Sequence, residues 1–242
     1  DNIKVHLNTT LDSVDGFVGN FRSTLTENGQ PIELEYGAAV LATGAKGYEP
    51  TEYGYGSDDR IMTSLGLDAL FVESSEKLDA VKSAVFIQCV GSREPDRPYC
   101  SRVCCTHSID NAIELKERNP ETDVYILYRD IRTYGERELL YKKARELGVI
   151  FIRYSTDDKP VVQVEKETLT IKVTDHVLGK PLEIEADLLT LASALIPRRD
   201  EQLANFFKVP LNDEGFFVEK HAKLGPAEFA TDGVYVCGSG HY

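Results

Sequence analysis

The pattern of hydrophobic and polar positions changes character along the chain. Residues 3–36 and 161–184 alternate apolar and polar positions, which predicts two β meanders. Between them, residues 84–152 carry compact apolar runs separated by stretches of helical periodicity. The order strand, helix, strand, helix, strand predicts a parallel sheet with right-handed crossover connections. The chain is therefore expected to be an α/β protein.

Turn and cap residues help to position the individual elements. The Asp-Gly pair at 15–16 and the Asn-Gly pair at 28–29 predict the turns of the first meander. Thr63 or Ser64 is a suitable N-cap for a short helix. Apolar runs predict strands at 38–44, 84–90, 123–128, 149–153, 187–191, 215–219 and 233–237, and helical periodicity predicts helices at 101–118 and 136–147.

Four of the five cysteines stand in one short stretch with the spacing C-x10-C-x3-C-C: Cys89, Cys100, Cys104 and Cys105. They lie where a predicted strand passes into a predicted helix. Four thiols gathered there suffice to bind an iron–sulfur cluster or a zinc ion. The alternatives are redox-active thiols, or unligated cysteines that fill the core as small hydrophobic residues. The spacing matches no common ferredoxin or zinc-finger motif, so the residues alone leave these alternatives open.

Composition and charge narrow the classes of partner. The chain has 242 residues, of which 42% are hydrophobic, enough for a sizeable core, and its formal net charge is −13. An acidic surface argues against nucleic acid and anionic membranes as partners. No apolar run approaches the ~18 residues of a membrane-spanning helix. Five cysteines cannot all pair within the chain, which favours a reducing cytoplasm.

Several sequence blocks together resemble one protein family. An Ala-Thr-Gly segment stands at 42–44, and a Gly-Val-Tyr-Val-Cys-Gly segment stands at 233–238. With a βαβαβ unit between them, this order resembles flavoproteins similar to thioredoxin reductase. The blocks Cys-Val-Gly-Ser-Arg at 89–93, Tyr-Cys-Ser-Arg-Val-Cys-Cys at 99–105 and Tyr-Arg-Asp-Ile-Arg-Thr-Tyr-Gly at 128–135 are more specific. They are similar to the A subunit of heterodisulfide reductase and to the related quinone-interacting oxidoreductase subunit of sulfate reducers.

The resemblance implies a nicotinamide-type, Rossmann-like βαβαβ domain inserted into a partial FAD-binding domain with β meanders. The expected ranges are 1–60 and 181–242 for the FAD-binding domain and 61–180 for the inserted domain. The sequence lacks a βαβ unit with G-x-G-x-x-G, which would hold the FAD pyrophosphate, so we expect an internal fragment of a longer subunit. After the strand at 84–90 only Gly91 is present, which argues against direct NAD(P)H binding.

The resemblance also implies two cofactor sites. The expected ligands of a 4Fe-4S cluster are Cys89, Cys100, Cys104 and Cys105. The expected contributors to the wall around FAD are Ala42, Thr43, Gly44, Cys237 and Gly238. We expect the full-length subunit to bind FAD and this stretch alone to bind it weakly or not at all. The cluster of this stretch can be lost through oxidation. No catalytic residue is nominated.

Ordinary structural roles are the alternatives for several nearby side chains. Cys237 also suits a buried strand position, and His107 suits an exposed helix position better than a place beside the cluster ligands. For Asp130, Arg132 and Tyr134 the alternatives are a loop salt bridge or a surface that faces a cofactor or another subunit.

The resulting hypothesis is an FAD-dependent oxidoreductase subunit of the heterodisulfide reductase type. It would transfer electrons between FAD, the 4Fe-4S cluster and partner subunits or iron–sulfur electron carriers in the cytoplasm. The stretch alone would be catalytically incomplete. The alternative hypothesis is a non-catalytic subunit-docking module with a degenerate nucleotide-binding domain. A homodimer is compatible with either hypothesis.

Overall fold

A computed structural model describes residues 2–73 and 76–241, and the contacts within it divide the chain into two compact units. The discontinuous unit runs up to Lys46 and resumes at Leu195, and the continuous unit is Gly47–Ala194. The sequence suggests boundaries near residues 60 and 180. The continuous unit extends beyond both, because Tyr53 and Ile184 on the added segments pack into its core.

Strands and helices are numbered in chain order. The strands are β1 (Thr9–Phe17), β2 (Asn20–Glu27), β3 (Gln30–Tyr36), β4 (Ala39–Leu41), β5 (Ala45–Gly47), β6 (Ile61–Thr63), β7 (Ser83–Val90), β8 (Asp123–Tyr128), β9 (Ile150–Arg153), β10 (Val161–Val164), β11 (Leu169–Asp175), β12 (Lys180–Ala186), β13 (Leu188–Ser193), β14 (Leu195–Pro197) and β15 (Val234–Val236). The helices are α1 (Ser64–Val72), α2 (Glu76–Asp79), α3 (Cys104–Arg118), α4 (Glu138–Glu146) and α5 (Glu201–Phe207), with 3₁₀ turns at Gly135–Arg137 and Gly238–Gly240.

The continuous unit is built on a parallel sheet of five strands. The strand order is β6-β13-β7-β8-β9, and every neighbouring pair is parallel. Strand β7 lies at the centre, and its residues 84–90 are all buried. Burial on both faces explains why this strand reads as an uninterrupted apolar run. The predicted α/β fold is confirmed, with β7-α3-β8-α4-β9 as the parallel unit.

Two hydrophobic layers cover the two faces of this sheet. Phe86 and Ile126 belong to one layer, which is shared with helices α1, α3 and α4. Val85 and Ile87 belong to the other layer, which is shared with the antiparallel meander β10-β11-β12. The alternation along β7 follows from the period-two geometry of a strand. The sheet is therefore a central layer between helices and a meander.

The discontinuous unit contains the first meander and a parallel strand pair. Strands β1, β2 and β3 form an antiparallel sheet, and β15 lies parallel to β4. Its core includes Phe217 and Phe229, which pack edge to face with ring centroids 5.8 Å apart. Helix α5 begins after Asp200, whose carboxylate accepts a hydrogen bond from Leu203 N–H at 2.9 Å.

Several predicted boundaries differ from the structure. The helix predicted from residue 101 begins at Cys104, because Arg102 has a left-handed backbone with φ 62° that a right-handed helix does not accommodate. The first hairpin turn is expected at 15–16 but lies at 18–19. Gly19 supplies the positive φ, 85°, that this turn requires. Residues 215–219, all of which are described, form no strand; Phe217 makes only isolated bridges.

The longest helix in the described ranges, α3, has 15 residues. None of the helices in those ranges is both long and apolar enough to cross a membrane.

Truncating Ile126 tests the packing of the continuous unit. Its side chain is fully buried on β8, so Ile126→Ala is expected to lower the free energy of unfolding by about 2–5 kcal/mol. Ile150 on the neighbouring strand β9 is 43% exposed. The matched change Ile150→Ala is expected to cost less than about 1 kcal/mol. Urea unfolding followed by circular dichroism measures both losses, and equal losses would contradict the assigned layers.

Candidate functional site

Four residues with left-handed backbone lie between the end of β7 and the start of α3, the first of them within the last two residues of the strand. Cys89, Gly91, Arg93 and Arg102 have φ values of 62°, 72°, 58° and 62°. Residues other than glycine rarely adopt this conformation, and functional sites are where it tends to persist. The pairing of β7 with β13 also shifts register near Cys89, which marks a β-bulge. The chain therefore turns sharply out of the strand at this point.

Backbone hydrogen bonds close the connection into a compact loop. Ser92 N–H donates to the Cys89 carbonyl at 3.3 Å, and Arg93 N–H donates to the Tyr99 carbonyl at 3.0 Å. The second bond returns the chain to the residues that follow β7. Cys100, which comes next in the sequence, is thereby brought back toward the end of the strand.

Gly91 is required by close packing as well as by its backbone conformation. A Cβ atom at this position would lie 2.3 Å from the Tyr48 ring. The Arg97 guanidinium stacks on the same ring, 4.4 Å from its centroid, and Arg97 Nε donates to the Gly91 carbonyl at 2.5 Å. This glycine is therefore fixed by the packing of the cysteine-bearing loop.

The loop and the first turn of α3 bring together four buried cysteines without a disulfide: Cys89, Cys100, Cys104 and Cys105. Each is between 3% and 7% exposed. The Cys104 and Cys105 thiols share a hydrogen bond, and Cys89 and Cys100 both act electrostatically on Cys104. Cys104 is therefore the thiol whose ionisation depends on the other three.

Burial and mutual contact set the ionisation of these thiols. Burial, followed by the Cys105 charge, raises the pKa of Cys89. The hydrogen bond within the Cys104–Cys105 pair raises the pKa of Cys104 and lowers the pKa of Cys105 to about 7. The Arg132 backbone and charge also favour the Cys105 thiolate. Cys105 is therefore the member of the pair that loses its proton first.

Two polar groups of the loop approach sulfur atoms. Arg102 N–H donates to Cys100 Sγ at 3.4 Å, and Arg93 Nη1 lies 4.0 Å from Cys89 Sγ. Hydrogen-bond donors and positive charges stabilise the thiolate form of cysteine. The loop therefore carries groups that favour negative charge on its sulfur atoms.

Asp130 ties the loop to the end of β8. Its carboxylate accepts from Arg93 at 2.8 Å and from Arg153 at 3.3 Å, and its carbonyl accepts from the Cys105 thiol at 3.7 Å. The Arg93 hydrogen bond holds the pKa of this carboxyl below its usual range. The loop salt bridge considered for Asp130 is confirmed.

Arg129, the residue before Asp130, also binds the loop and is buried, with 5% of the residue exposed. Its Nη1 donates to the Arg93 carbonyl at 2.9 Å, its Nη2 pairs with the Glu94 carboxylate, and its guanidinium lies 5.8 Å from the Tyr154 ring centroid. Lys159 binds the second oxygen of Glu94 at 2.8 Å. A buried cation with these partners holds the start of the loop in place.

Within the ranges that the structure describes, no three His, Cys, Asp or Glu side chains are arranged to hold a single metal ion. A tetrahedral zinc site needs its sulfur atoms at ~2.3 Å from one ion. A 4Fe-4S cluster spreads its thiolates more widely, because each cysteine binds a different iron atom. Four free, buried thiols fit such a cluster in number and donor type.

A second constellation lies in the discontinuous unit, where β4 and β15 run side by side. Cys237 N–H donates to the Leu41 carbonyl at 3.1 Å, so the segments after the two strands are neighbours. Gly44 and Gly238 have positive φ values of 66° and 74°, and space around the Cβ position of Gly238 is open. A Cβ atom on Gly240 would lie 3.1 Å from Thr43 Oγ1. These glycines allow close approach of the backbone.

The residues nominated in this constellation are accessible. Ala42 and Cys237 are exposed, and Thr43 and Gly44 are half-buried. The buried strand position considered for Cys237 is wrong, because this residue follows β15 instead of lying within it.

His107, on the first turn of α3, differs from expectation, whereas the exposure of Tyr134 agrees with a surface position. His107 is half-buried rather than exposed, because its Nε2 lies 2.8 Å from the Asp68 carboxylate. Tyr134 is 55% exposed. The sequence gives no signal for Tyr48, Arg129 or Tyr154, because their partners in the structure are distant along the chain.

Curated relatives match most of this chain and are themselves longer. The A subunit of the H(2):CoB-CoM heterodisulfide,ferredoxin reductase of Methanothermobacter thermautotrophicus is 37% identical over 228 residues, which is 86% of this chain and 34% of the relative. Over most of its length the chain is therefore similar to heterodisulfide reductase A subunits. The iron-sulfur A subunit of the CoB–CoM heterodisulfide reductase of Methanocaldococcus jannaschii is likewise 37% identical, over 230 residues, with coverages of 86% and 34%. The chain thus spans about a third of the length of these heterodisulfide reductase subunits. No family model matches it.

Solved structures share the fold at low sequence identity. Thioredoxin reductase of T. acidophilum matches with a TM-score of 0.55 and 15% identity, over 97% of this chain and 66% of that enzyme. Thioredoxin reductase of Lactococcus lactis matches with a TM-score of 0.53 and 13% identity, over 96% and 65%. The fold of this heterodisulfide reductase relative is thus of the thioredoxin reductase type.

Adding one methyl group at Gly91 tests the packing of the loop. Gly91→Ala introduces both a strained positive φ and the clash with Tyr48, whereas Gly179→Ala introduces only a positive φ, here 63°, with open space around the Cβ atom. We expect the free energy of unfolding to fall by about 1–2 kcal/mol for Gly179→Ala and by about 1–3 kcal/mol more for Gly91→Ala. Urea unfolding measures the difference, and the same loss at both positions would show that Tyr48 does not constrain the loop.

Proposed function

We propose that this chain is the part of an FAD-dependent, heterodisulfide reductase-type oxidoreductase subunit that holds a 4Fe-4S cluster and one wall of the flavin site. The subunit transfers electrons between FAD, the cluster and partner subunits. The observation that carries the proposal is the set of four buried, disulfide-free cysteines at the end of β7, in the loop that follows and at the start of α3. The names of the relatives support it, since they are subunits of heterodisulfide reductases and one is called an iron-sulfur subunit.

The cysteine-bearing loop suits the proposed ligation in three ways. Its thiols are shielded from water, which protects a cluster from solvent. Arg102 N–H and Arg93 Nη1 lie beside Cys100 and Cys89, and contacts of this kind stabilise ligating thiolates. Helix α3, of 15 residues, begins at Cys104, and a helix N-terminus favours negative charge. A bound 4Fe-4S cluster would supply one-electron transfer.

The glycine-lined constellation of the discontinuous unit is the proposed flavin wall. Left-handed Gly44 and Gly238 leave backbone groups accessible beside Thr43, as a wall close to a ligand requires. Bound FAD would supply the two-electron chemistry. Because a βαβ unit with G-x-G-x-x-G is missing from this sequence, the described stretch is expected to retain FAD weakly.

A docking module is the second candidate. It is favoured by the segment that follows β7. A Rossmann-like domain carries its pyrophosphate-binding turn between this strand and the next helix, and here the cysteine-bearing loop occupies that place. Docking alone needs no thiols. The two candidates therefore differ in what replacement of the cysteines does.

Single replacements of the cysteines test the proposal. The protein is purified anaerobically and reconstituted with iron and sulfide, and its iron, acid-labile sulfide and electron paramagnetic resonance signal are measured. We expect about four iron atoms for each chain in the wild type. Cys89→Ser, Cys100→Ser, Cys104→Ser and Cys105→Ser are each expected to lose most of this iron. Cys237→Ser is the matched control, because this cysteine lies in the other unit, and it is expected to retain the full amount.

Two results would contradict the proposal. One is a protein that binds no iron under these conditions. The other is a variant with all four cysteines replaced that supports electron transfer in the complete complex as well as the wild type does. The second result would favour the docking module.

A further inference from the structure

Arg93 occupies a distinctive position among the cations near the thiols. Its guanidinium bridges two groups, because Nη1 lies 4.0 Å from Cys89 Sγ and Nη2 donates to Asp130 at 2.8 Å. The residue itself has a left-handed backbone with φ 58°, an unfavourable conformation for arginine. The side chain is 23% exposed, so its charge is only partly screened by water.

A closed set of contacts holds Arg93 in this position. Arg129 Nη1 donates to the Arg93 carbonyl at 2.9 Å, and Arg153 Nε donates to the Arg129 carbonyl at 3.0 Å. Arg153 Nη2 then reaches the second Asp130 oxygen at 3.3 Å. The backbone and the head group of Arg93 are therefore anchored independently of the sulfur atom.

The charges in this set do not cancel. Asp130 is one carboxylate shared by two guanidinium groups, Arg93 and Arg153. Glu94 is likewise shared by Arg129 and Lys159. The set therefore has four cations and two carboxylates, an excess of positive charge. Arg93 brings part of this excess to Cys89, which would carry negative charge as a ligand.

We infer that Arg93 sets the reduction potential of the cluster held through Cys89, and that Asp130 limits the size of this effect. The inference rests on the proposed function. A reduced cluster carries one more negative charge than an oxidised one, so a nearby fixed cation favours reduction and raises the potential. Asp130 opposes Arg93, because its charge has the opposite sign.

Replacing the charge of Arg93 tests the inference on the anaerobically purified protein with its cluster. A redox titration monitored by electron paramagnetic resonance gives the midpoint potential. For Arg93→Gln we expect the ratio of reduced to oxidised cluster at a fixed applied potential to fall about tenfold, which corresponds to ~59 mV for one electron. Arg93→Lys keeps the charge and is expected to restore most of the wild-type potential.

Two further variants separate charge from structure. Asp130→Asn removes the opposing charge and is expected to move the potential upward, opposite to Arg93→Gln. Arg153→Gln is the matched control, because Arg153 also binds Asp130 but is 57% exposed and has no sulfur contact in the described part of the chain, so a much smaller shift is expected. If Arg93→Gln does not retain its cluster, the upward shift in Asp130→Asn and the near-wild-type potential of Arg93→Lys still test the inference.

The results distinguish the inference from the function on which it rests. A wild-type cluster whose potential is the same in Arg93→Gln, or moves downward in Asp130→Asn, would overturn the inference and leave the proposed ligation intact. A wild-type protein without an iron–sulfur signal would overturn both.

Discussion

Strand β7 is buried on both faces and paired with a neighbour on each edge, so its end is fixed in the sheet. At Cys89 the backbone enters the left-handed region, and Gly91 continues the turn where a side chain would collide with Tyr48. The loop that follows is folded back on itself, because Arg93 N–H donates to the Tyr99 carbonyl. This one turn connects the cysteines, since Cys89 is the last residue but one of the strand and Cys104 and Cys105 begin helix α3.

Local charge at the loop is opposite to the charge of the chain as a whole. The formal net charge is −13, yet Asp130 and Glu94, the two carboxylates that bind Arg93 and Arg129, are each shared by two cations. Arg129 is almost completely buried, and a buried cation is tolerated only when hydrogen bonds and a counter-charge compensate for lost hydration. The same contacts that fasten the loop therefore hold the positive charge of Arg93 beside Cys89. Stability and redox tuning would here depend on the same residues.

The sequence predicts those features that depend on neighbouring residues. Strand β8 is predicted at 123–128 with the bounds that the structure has, because its apolar run and flanking polar residues are local signals. The start of α3 is predicted three residues early, since nothing in periodicity reveals a left-handed Arg102. The pair of Arg93 and Asp130 spans 37 residues and arises only when β7 and β8 lie side by side. Spacing identifies the cysteines as a group, but the cations that accompany them come from the tertiary fold.

An anaerobic crystal structure measured at the iron absorption edge tests the central claim most directly. If the four cysteines bind one cluster, an anomalous difference map will show a single compact iron peak bounded by the sulfur atoms of Cys89, Cys100, Cys104 and Cys105. Iron located elsewhere in the chain, with these four thiols unligated in a protein of full iron content, would contradict the account.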